Sequence, residues 1–199
     1  MSAAATLIAA ALGIAAASVL ALVSFPARSV LVVAVNALLG LPPVVIGLVF
    51  YLLLSHSGPL GWLDLLFSPA AMVAAQAALA APIICALVHR SLERSWAEFG
   101  PPLRILGASR LRALPVLLGM NRRAIATAIL AGFGRCLSEV GAVLMVGGNI
   151  AGHTRSLTTS VVLQTSMGNL ETALLLGLVL VGVSVAVSAG GIALGGARL

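Results

Sequence analysis

Long, uninterrupted apolar runs alternate with short polar segments along the chain. A helix needs about 20 residues to cross about 30 Å of hydrocarbon, and five runs reach that scale: 3–25, 30–54, 70–88, 124–146 and 172–192. Their apolar positions are contiguous rather than alternating, which favours helices over strands. The pattern therefore predicts an all-α integral membrane protein, with a single transmembrane domain of about five spans.

Composition narrows the class further. Of the 199 residues, 61% are hydrophobic and 8% are charged, whereas soluble domains have about 45–50% and about 25%. An ordinary water-soluble domain is excluded, and the lipid bilayer is the expected partner. The first apolar run is longer than a signal-peptide core of about 7–15 residues, and no cation precedes it. A membrane span is favoured there, with a cleaved leader as the alternative.

The arginines predict the orientation. Seven of the eleven lie in residues 90–123, and positively charged loops stay cytoplasmic. With 90–123 inside, Arg28 and Arg198 also fall inside, and Arg155 alone lies outside. The sequence thus predicts a cell (inner) membrane protein with a cytoplasmic loop at 90–123 and an extracytoplasmic loop at 147–171. Stacking aromatics are nearly absent from 90–123, so nucleic acid is not an expected partner.

Several chemistries are excluded by residue type. The three histidines lack metal-ligand spacing, so no metal site is expected. Cys85 and Cys136 lie inside apolar runs, where packing is the expected role. A phosphate-cradling loop needs a lysine, and the chain has none. No cofactor and no catalytic residue are expected, and the chain is not expected to be an enzyme.

Prolines interrupt two of the apolar runs. Pro42 and Pro43 lie near the middle of the second, and Pro82 lies in the third. Each removes a backbone donor, so these helices should kink or unwind where neighbours can satisfy the freed carbonyls. Broken helices at membrane depth often line a pathway, and a simple packing kink is the alternative.

Two charged residues lie inside the fourth run. Arg135 and Glu139 are four residues apart, and Arg135 is about 18 Å along a helix from Arg123, near the middle of the membrane. A charge there costs several kcal/mol unless it is paired or hydrated. We expect the two to bond each other and to face a dimer interface or a water-filled path. A structural ion pair and a gate both remain open.

The segment after the fourth run is rich in amide and hydroxyl groups. Such donors suit an oxyanion, and the one outer arginine would attract a dianion; an ordinary exposed loop is the alternative. The candidate residues of this segment are Gly147, Gly148, Asn149, His153, Thr154, Arg155, Thr158 and Thr159.

The loop at 90–123 keeps apolar residues among its arginines. This pattern predicts short helices that meet at a small-residue turn around Gly107, suited to docking on a partner protein. A basic amphipathic segment on anionic lipid is the alternative. The stretch 104–110 resembles the EAA loop of permease subunits of ATP-binding-cassette (ABC) importers, which docks on a cytoplasmic ATPase. The implied coupling residues are Arg104, Leu106, Gly107, Ala108, Ser109, Arg110 and Leu111.

The match departs from the family at one place. Pro101, Pro102 and Leu103 stand where Glu-Ala-Ala is expected. We expect the two prolines to shorten or bend the helix before Gly107, which leaves the strength of the coupling open.

A second resemblance is more specific. The stretch 132–159, which contains Gly132, Arg135, Ser138 and Glu139, resembles tungstate permeases and is similar to molybdate permeases. The stretches 41–48, 55–61 and 164–168 fit the same family. The resemblance implies the type I importer permease fold, a pathway that includes Pro42, Pro43, Arg135, Ser138 and Glu139, and tungstate as substrate. It also implies three protein partners: a second copy of the chain, cytoplasmic ABC ATPase subunits and an extracytoplasmic oxyanion-binding protein.

Other functions remain as alternatives. Within the family, the substrate could be molybdate, sulfate or phosphate. An ion-coupled secondary transporter would show an inverted repeat and intramembrane acidic residues, but Glu139 is the one acidic residue within a run. A membrane scaffold would leave Arg135 and Glu139 unexplained.

Overall fold

A computed structural model describes residues 1–105 and 107–195, and for 192–195 the backbone alone. Within these residues the structure is 79% helical and has no strand, which confirms the predicted all-α class. The helices are α1 (Ser2–Leu22), α2 (Arg28–Leu38), α3 (Pro43–Leu54), α4 (Pro69–Ile105), α5 (Arg110–Met120), α6 (Arg122–Ser138), α7 (Gly141–Gly147), α8 (Leu157–Ser166) and α9 (Leu170–Gly195), with a 3-10 turn at Gly61–Leu63.

A parallel pair, α1 and α4, forms the centre of the bundle: the start of α1 lies by Gln76, and its middle lies by Ala81 and Cys85. Ala5, Ala9 and Ala17 of α1 are fully buried. A Cβ at Gly13 would lie 2.9 Å from the carbonyl oxygen of Ala81 on α4, so the two backbones pack closely because these residues are small.

Polar side chains fasten α6 against α4 at both ends. At one end Asn121 Nδ2 donates to Ser95 Oγ over 2.8 Å. At the other, Gln76 Nε2 of α4 donates to the carbonyl of Cys136 over 2.9 Å. Since hydrogen bonds are obligatory for buried polar groups, these contacts set the antiparallel register of α6 on α4.

Two of the expected spans are broken. The run 30–54 is two helices, α2 and α3, bent by 105°, as the proline pair predicts. The helix expected over 124–146 is interrupted at 139–140, where α6 ends and α7 follows. The two segments that follow the breaks, α3 and α7, pack on each other: a Cβ at Gly47 would lie 2.7 Å from the Cα of Ala142.

The third run continues well beyond residue 88. Helix α4 is a single helix of 37 residues that passes through Pro101 and Pro102 and ends at Ile105. The expectation that this proline pair shortens the helix is wrong. Both prolines are exposed, so water can satisfy the carbonyls that they leave free.

Helices α1, α4 and α9 are each long and apolar enough to cross a membrane. The bent pairs α2 with α3 and α5 with α6 raise the number of candidate spans to five. Helix α9 is almost entirely unburied within the described residues: in its most apolar stretch of 18 residues the buried share is 6%. Because so much apolar surface needs a non-aqueous environment, this fold is that of a multi-pass membrane protein.

Candidate functional site

A tight turn joins α4 to α5 at one end of the bundle. The amide of Gly107 donates to the carbonyl of Arg104, and the amide of Ala108 donates to that of Leu103, both over 2.9 Å. Gly107 has a φ of +79°, a conformation that costs other L-residues about 1–2 kcal/mol. Ser109 then caps α5, since its Oγ accepts from the amide of Arg112 over 3.3 Å. The turn itself therefore favours glycine at this position.

The surface around this turn is open and mixed in character. Ile105 is 86% exposed and Leu111 is 66% exposed, and a Cβ on Gly107 would meet no atom of the described residues within 4 Å. Arg104 is also exposed. Exposed apolar residues beside cations are typical of a protein interface. Of the coupling residues predicted from the sequence, Leu106 lies outside the described residues.

The second helix break is built around a buried carboxylate. Glu139 is 3% exposed, and its Oε1 accepts from the backbone amide of Ala142 over 3.0 Å. Its Oε2 lies 3.9 Å from Nη2 of Arg135, an ionic contact longer than a hydrogen bond. Glu139 thus lies between α6 and α7, and its carboxylate accepts from the first turn of α7. The spacing implied that Glu139 shares one helix with Arg135, and that expectation is wrong.

Arg135 and Ser138 lie at the end of α6, on the more open side of this break. The Arg135 side chain is 32% exposed, and Ser138 Oγ donates to the carbonyl of Arg135 over 3.2 Å. The arginine therefore has one buried anionic neighbour and an open side, so its charge can act on a ligand outside the chain.

The segment that follows α7 folds tightly on itself. Gly148 and Asn149 have φ of +65° and +51°, and a Cβ on Gly148 would lie 2.8 Å from the ring of Phe67. Arg155 Nη2 donates to the carbonyl of Asn149 over 3.4 Å. Asn149 Oδ1 is buried and has no hydrogen-bond partner within the described residues.

Most hydroxyl groups of this segment are used internally. Thr154 is fully buried, and its Oγ1 accepts from the amide of Ile150 over 2.8 Å and donates to the carbonyl of Gly147. Thr159 and Ser156 cap α8 reciprocally, and Thr158 is buried beside them. His153 and Arg155 are the exposed polar members. The threonines therefore shape the segment, and these two side chains are free to face a ligand.

The candidate residues form two groups at different heights of the bundle. Gly147 packs on Met72 near the start of α4, while the Gly107 turn follows the end of the same helix. The 33 residues from Met72 to Ile105 span about 50 Å of helix. The break residues and the segment 147–155 are continuous through α7, and the coupling residues are remote from both.

Sequence reasoning missed Gln76, which is 5% exposed. Its amide satisfies the carbonyl that the break leaves free at Cys136. A lone glutamine within the apolar run 70–88 is a signal that could have revealed it, because polar residues inside a membrane are costly and have a reason to be there. Trp96 was also missed: the guanidinium carbons of Arg104 and Arg110 lie 5.2 Å and 5.5 Å from its ring centroid.

Comparison with known proteins identifies the family. No family model matches the chain. The chain is 39% identical over 153 residues to the tungstate uptake system permease protein of Peptoclostridium acidaminophilum, with 77% of this chain and 67% of the relative covered. It is 36% identical over 194 residues to a probable anion ABC transporter permease protein of Haloferax volcanii, with 95% and 84% covered. The chain belongs to the ABC-importer permease family of tungstate and molybdate uptake systems.

More distant members of this permease family include a molybdenum transport system permease protein of Haemophilus influenzae, 29% identical over 142 residues, with 67% of this chain and 62% of the relative covered. The family confirms the predicted class: the chain is a permease subunit, and the ATPase is a separate subunit in this type of system. Pro101 and Pro102 depart from the EAA pattern of the family. The departure is local, because the similarity to the Haloferax volcanii permease protein extends over 194 residues.

Proposed function

We propose that this permease is the membrane subunit of an ATP-driven importer that moves the tungstate oxyanion by alternating access. The observation that carries the proposal is the exposed turn at Gly107, which presents Ile105 and Leu111 beside arginines at the end of α4. An interface with apolar and cationic contacts fits a separate ATPase subunit. Substrate identity is supported by the names of the relatives from Peptoclostridium acidaminophilum and Campylobacter jejuni, both tungstate uptake permeases.

The turn lies at the cytoplasmic face of the inner membrane in this proposal. Seven arginines lie in residues 90–123, and those of α4 follow its apolar part. Arg28, at the start of α2, is at the same end, since it pairs with Glu93 over 2.7 Å. The clustering of cations at one end supports this orientation through the positive-inside rule.

A second copy of the chain completes the pathway in this proposal. Arg135 is partly exposed beside the buried Glu139, where a charge facing lipid would cost several kcal/mol. A water-filled path on a two-fold axis would hydrate that arginine and give the oxyanion a counter-charge. The two ATPase subunits would close on ATP, and an extracytoplasmic binding protein would deliver the substrate.

The pathway residues have graded roles. Pro42, Pro43 and Glu139 shape the two breaks, Arg135 and Ser138 lie beside them, and His153 and Arg155 face outward. The remaining pathway candidates hold the outer segment in its conformation: Gly147, Gly148, Asn149, Thr154, Thr158 and Thr159. Their effect on transport is expected to come through the shape of the segment.

Replacement of Gly107 tests the docking role. Asn tolerates positive φ, so Gly107→Asn adds a side chain with little backbone strain. Gly107→Trp adds both backbone strain and bulk, in a space that no described residue fills. Both variants should insert into the membrane. We expect graded loss of the ATPase from the purified complex, mild for Asn and severe for Trp. Full retention of the ATPase and of uptake by the Trp variant would contradict the docking role.

Uptake into proteoliposomes that contain the ATPase and binding protein tests the substrate. Labelled tungstate should accumulate with ATP, and unlabelled molybdate, sulfate and phosphate should compete in that falling order. Accumulation driven by an ion gradient without ATP would instead indicate a secondary transporter.

A further inference from the structure

Trp96 of α4 contacts residues of both helices that meet at the Gly107 turn. Arg104, on the last turn of α4, and Arg110, the first residue of α5, both place their guanidinium groups over its ring. Each is a cation–π contact, in which the electron-rich face of the ring attracts the guanidinium. One side chain thus holds together the helix that enters the turn and the helix that leaves it.

A glycine one helical turn further on lets the indole lie along α4. A Cβ on Gly100 would be 3.0 Å from Cε2 of Trp96, tighter than ordinary van der Waals contact. With glycine there, the ring reaches toward Arg104, eight residues and about 12 Å along the helix. The placement of the ring therefore depends on this pair of residues.

Arginines also connect the turn to the end of α1. Arg110 Nη1 donates to the carbonyl of Leu22 over 3.4 Å, and Arg28 Nε donates to the carbonyl of Leu20. The last carbonyls of a helix lack intrahelical partners and carry partial negative charge. Cations from α5 and α2 therefore meet at one helix end.

Arg28 of α2 also binds a residue of α4. Arg28 Nη2 bonds Oε1 of Glu93 over 2.7 Å, and Glu93 lies three residues before Trp96 on the same helix. A cavity of about 190 Å³ lies among these side chains. We call the set Arg28, Glu93, Trp96, Arg104 and Arg110 the arginine clamp.

We propose that the arginine clamp is a positioning device that transmits movement of the ATPase-docking turn to α1 and α2, and through α2 to the break at Pro42 and Pro43. The inference rests on the proposed docking role of the Gly107 turn. Helix α2 has no buried residue; besides Arg28, it contacts α4 through a hydrogen bond of 2.9 Å from Arg90 Nη2 to Asn36 Oδ1, so α2 is expected to move with α4. A displacement of α5 moves Arg110, and with it the indole and the end of α1.

Trp96→Leu tests this transmission, with Trp96→Phe as the conservative variant. Trp62→Leu is the matched control, because Trp62 is the other tryptophan of the chain and is 78% exposed. The measurement is tungstate taken up per ATP hydrolysed, in proteoliposomes with ATPase and binding protein, together with the ATPase that copurifies. The coupling between two distant sites of a protein typically changes the measured quantity about fivefold or more.

We expect Trp96→Leu to lower uptake per ATP about fivefold while the ATPase still copurifies and hydrolyses ATP, and Trp96→Phe to restore most of the ratio. A normal ratio in Trp96→Leu, absence of rescue by phenylalanine, or loss of the ATPase would each overturn the clamp. Retention of the ATPase by Gly107→Trp would count against the docking role instead, so the two failures are distinguishable.

Glu93→Gln provides a second variant that does not threaten folding, since the Glu93 side chain is 52% exposed. It removes the charge that holds Arg28 and should lower uptake per ATP about twofold, in line with the small free energy of an exposed pair. Glu171→Gln, at the start of α9, is the control and should leave the ratio unchanged. An unchanged ratio in Glu93→Gln would remove α2 from the clamp and overturn transmission to the Pro42 break.

Discussion

The two helix breaks of this permease are made in different ways. Between α2 and α3, Pro42 and Pro43 remove backbone donors and give a bend of 105°. Between α6 and α7, the run 124–146 contains no proline, yet the helix ends at Ser138. The first break is encoded in the local covalent structure, and the second depends on contacts with the rest of the fold.

Two buried side chains satisfy the backbone at the second break. In a continuous helix the carbonyl of Cys136 would accept from the amide four residues later; here it accepts from Gln76 of α4. The carboxylate of Glu139 accepts from the amide of Ala142 at the start of α7. A break held by side chains depends on distant partners, whereas a proline break is fixed by its own residues, although the angle between its two helices can still change.

Both breaks lead into the same interface. Helix α3 packs on α7 at Gly47 and Ala142, and a Cβ on Gly141 would lie 2.8 Å from Cγ2 of Val44. Small residues on both sides allow this approach. The helix that follows the proline break thus provides a surface against which the helix that follows the Glu139 break packs.

The largest effect is expected from Glu139→Ala. It removes a charged acceptor from the amide of Ala142 and leaves Arg135 without its anion, so the free energy of unfolding should fall by about 2 kcal/mol. Thermal unfolding in detergent measures the change. Glu139→Gln keeps the acceptor oxygen and should lose less than half as much; equal losses in both variants would show that the hydrogen bond does not hold the break.

Gln76→Leu should have an intermediate effect. The lost bond to Cys136 is worth about 1 kcal/mol, and the end of α6 should open transiently. The thiol of Cys136 is 1% exposed, so its rate of reaction with a maleimide should rise in this variant. Cys85, buried between α1 and α4, is the internal control, and a parallel rise at Cys85 would indicate general loosening instead.

The smallest effect on stability is expected when Pro42 and Pro43 are both replaced by alanine. Unfolding free energy should change by less than about 1 kcal/mol, because the segment is exposed and alanine is tolerated in helices. The bend should open, which lengthens the distance between spin labels at Val33 and Leu52, two exposed positions on α2 and α3. An unchanged distance would mean that tertiary contacts, and not the prolines, make the first break.

These differences explain which features of the structure could be predicted from the sequence. The apolar runs predicted α1, the first part of α4 and α9, and Gly107 predicted a turn, because each signal is local. The break at Glu139 could not be predicted, since it depends on the bond from Gln76 to the carbonyl of Cys136, 60 residues later in the chain. The internal bonding of Thr154 was equally hidden: a threonine in a polar segment gives no sign of whether its hydroxyl is buried.

The proposed function requires the Gly107 turn to lie on the cytoplasmic side of the membrane, and thiol labelling determines on which side it lies. Arg112 and Ile150 are exposed, and both native cysteines are buried, so Arg112→Cys and Ile150→Cys report on the two ends of the bundle with little background. With a membrane-impermeant maleimide, Arg112→Cys should react in inverted vesicles alone and Ile150→Cys in right-side-out vesicles alone. Reaction of Arg112→Cys from the outside would contradict ATPase docking at this turn and the function built on it.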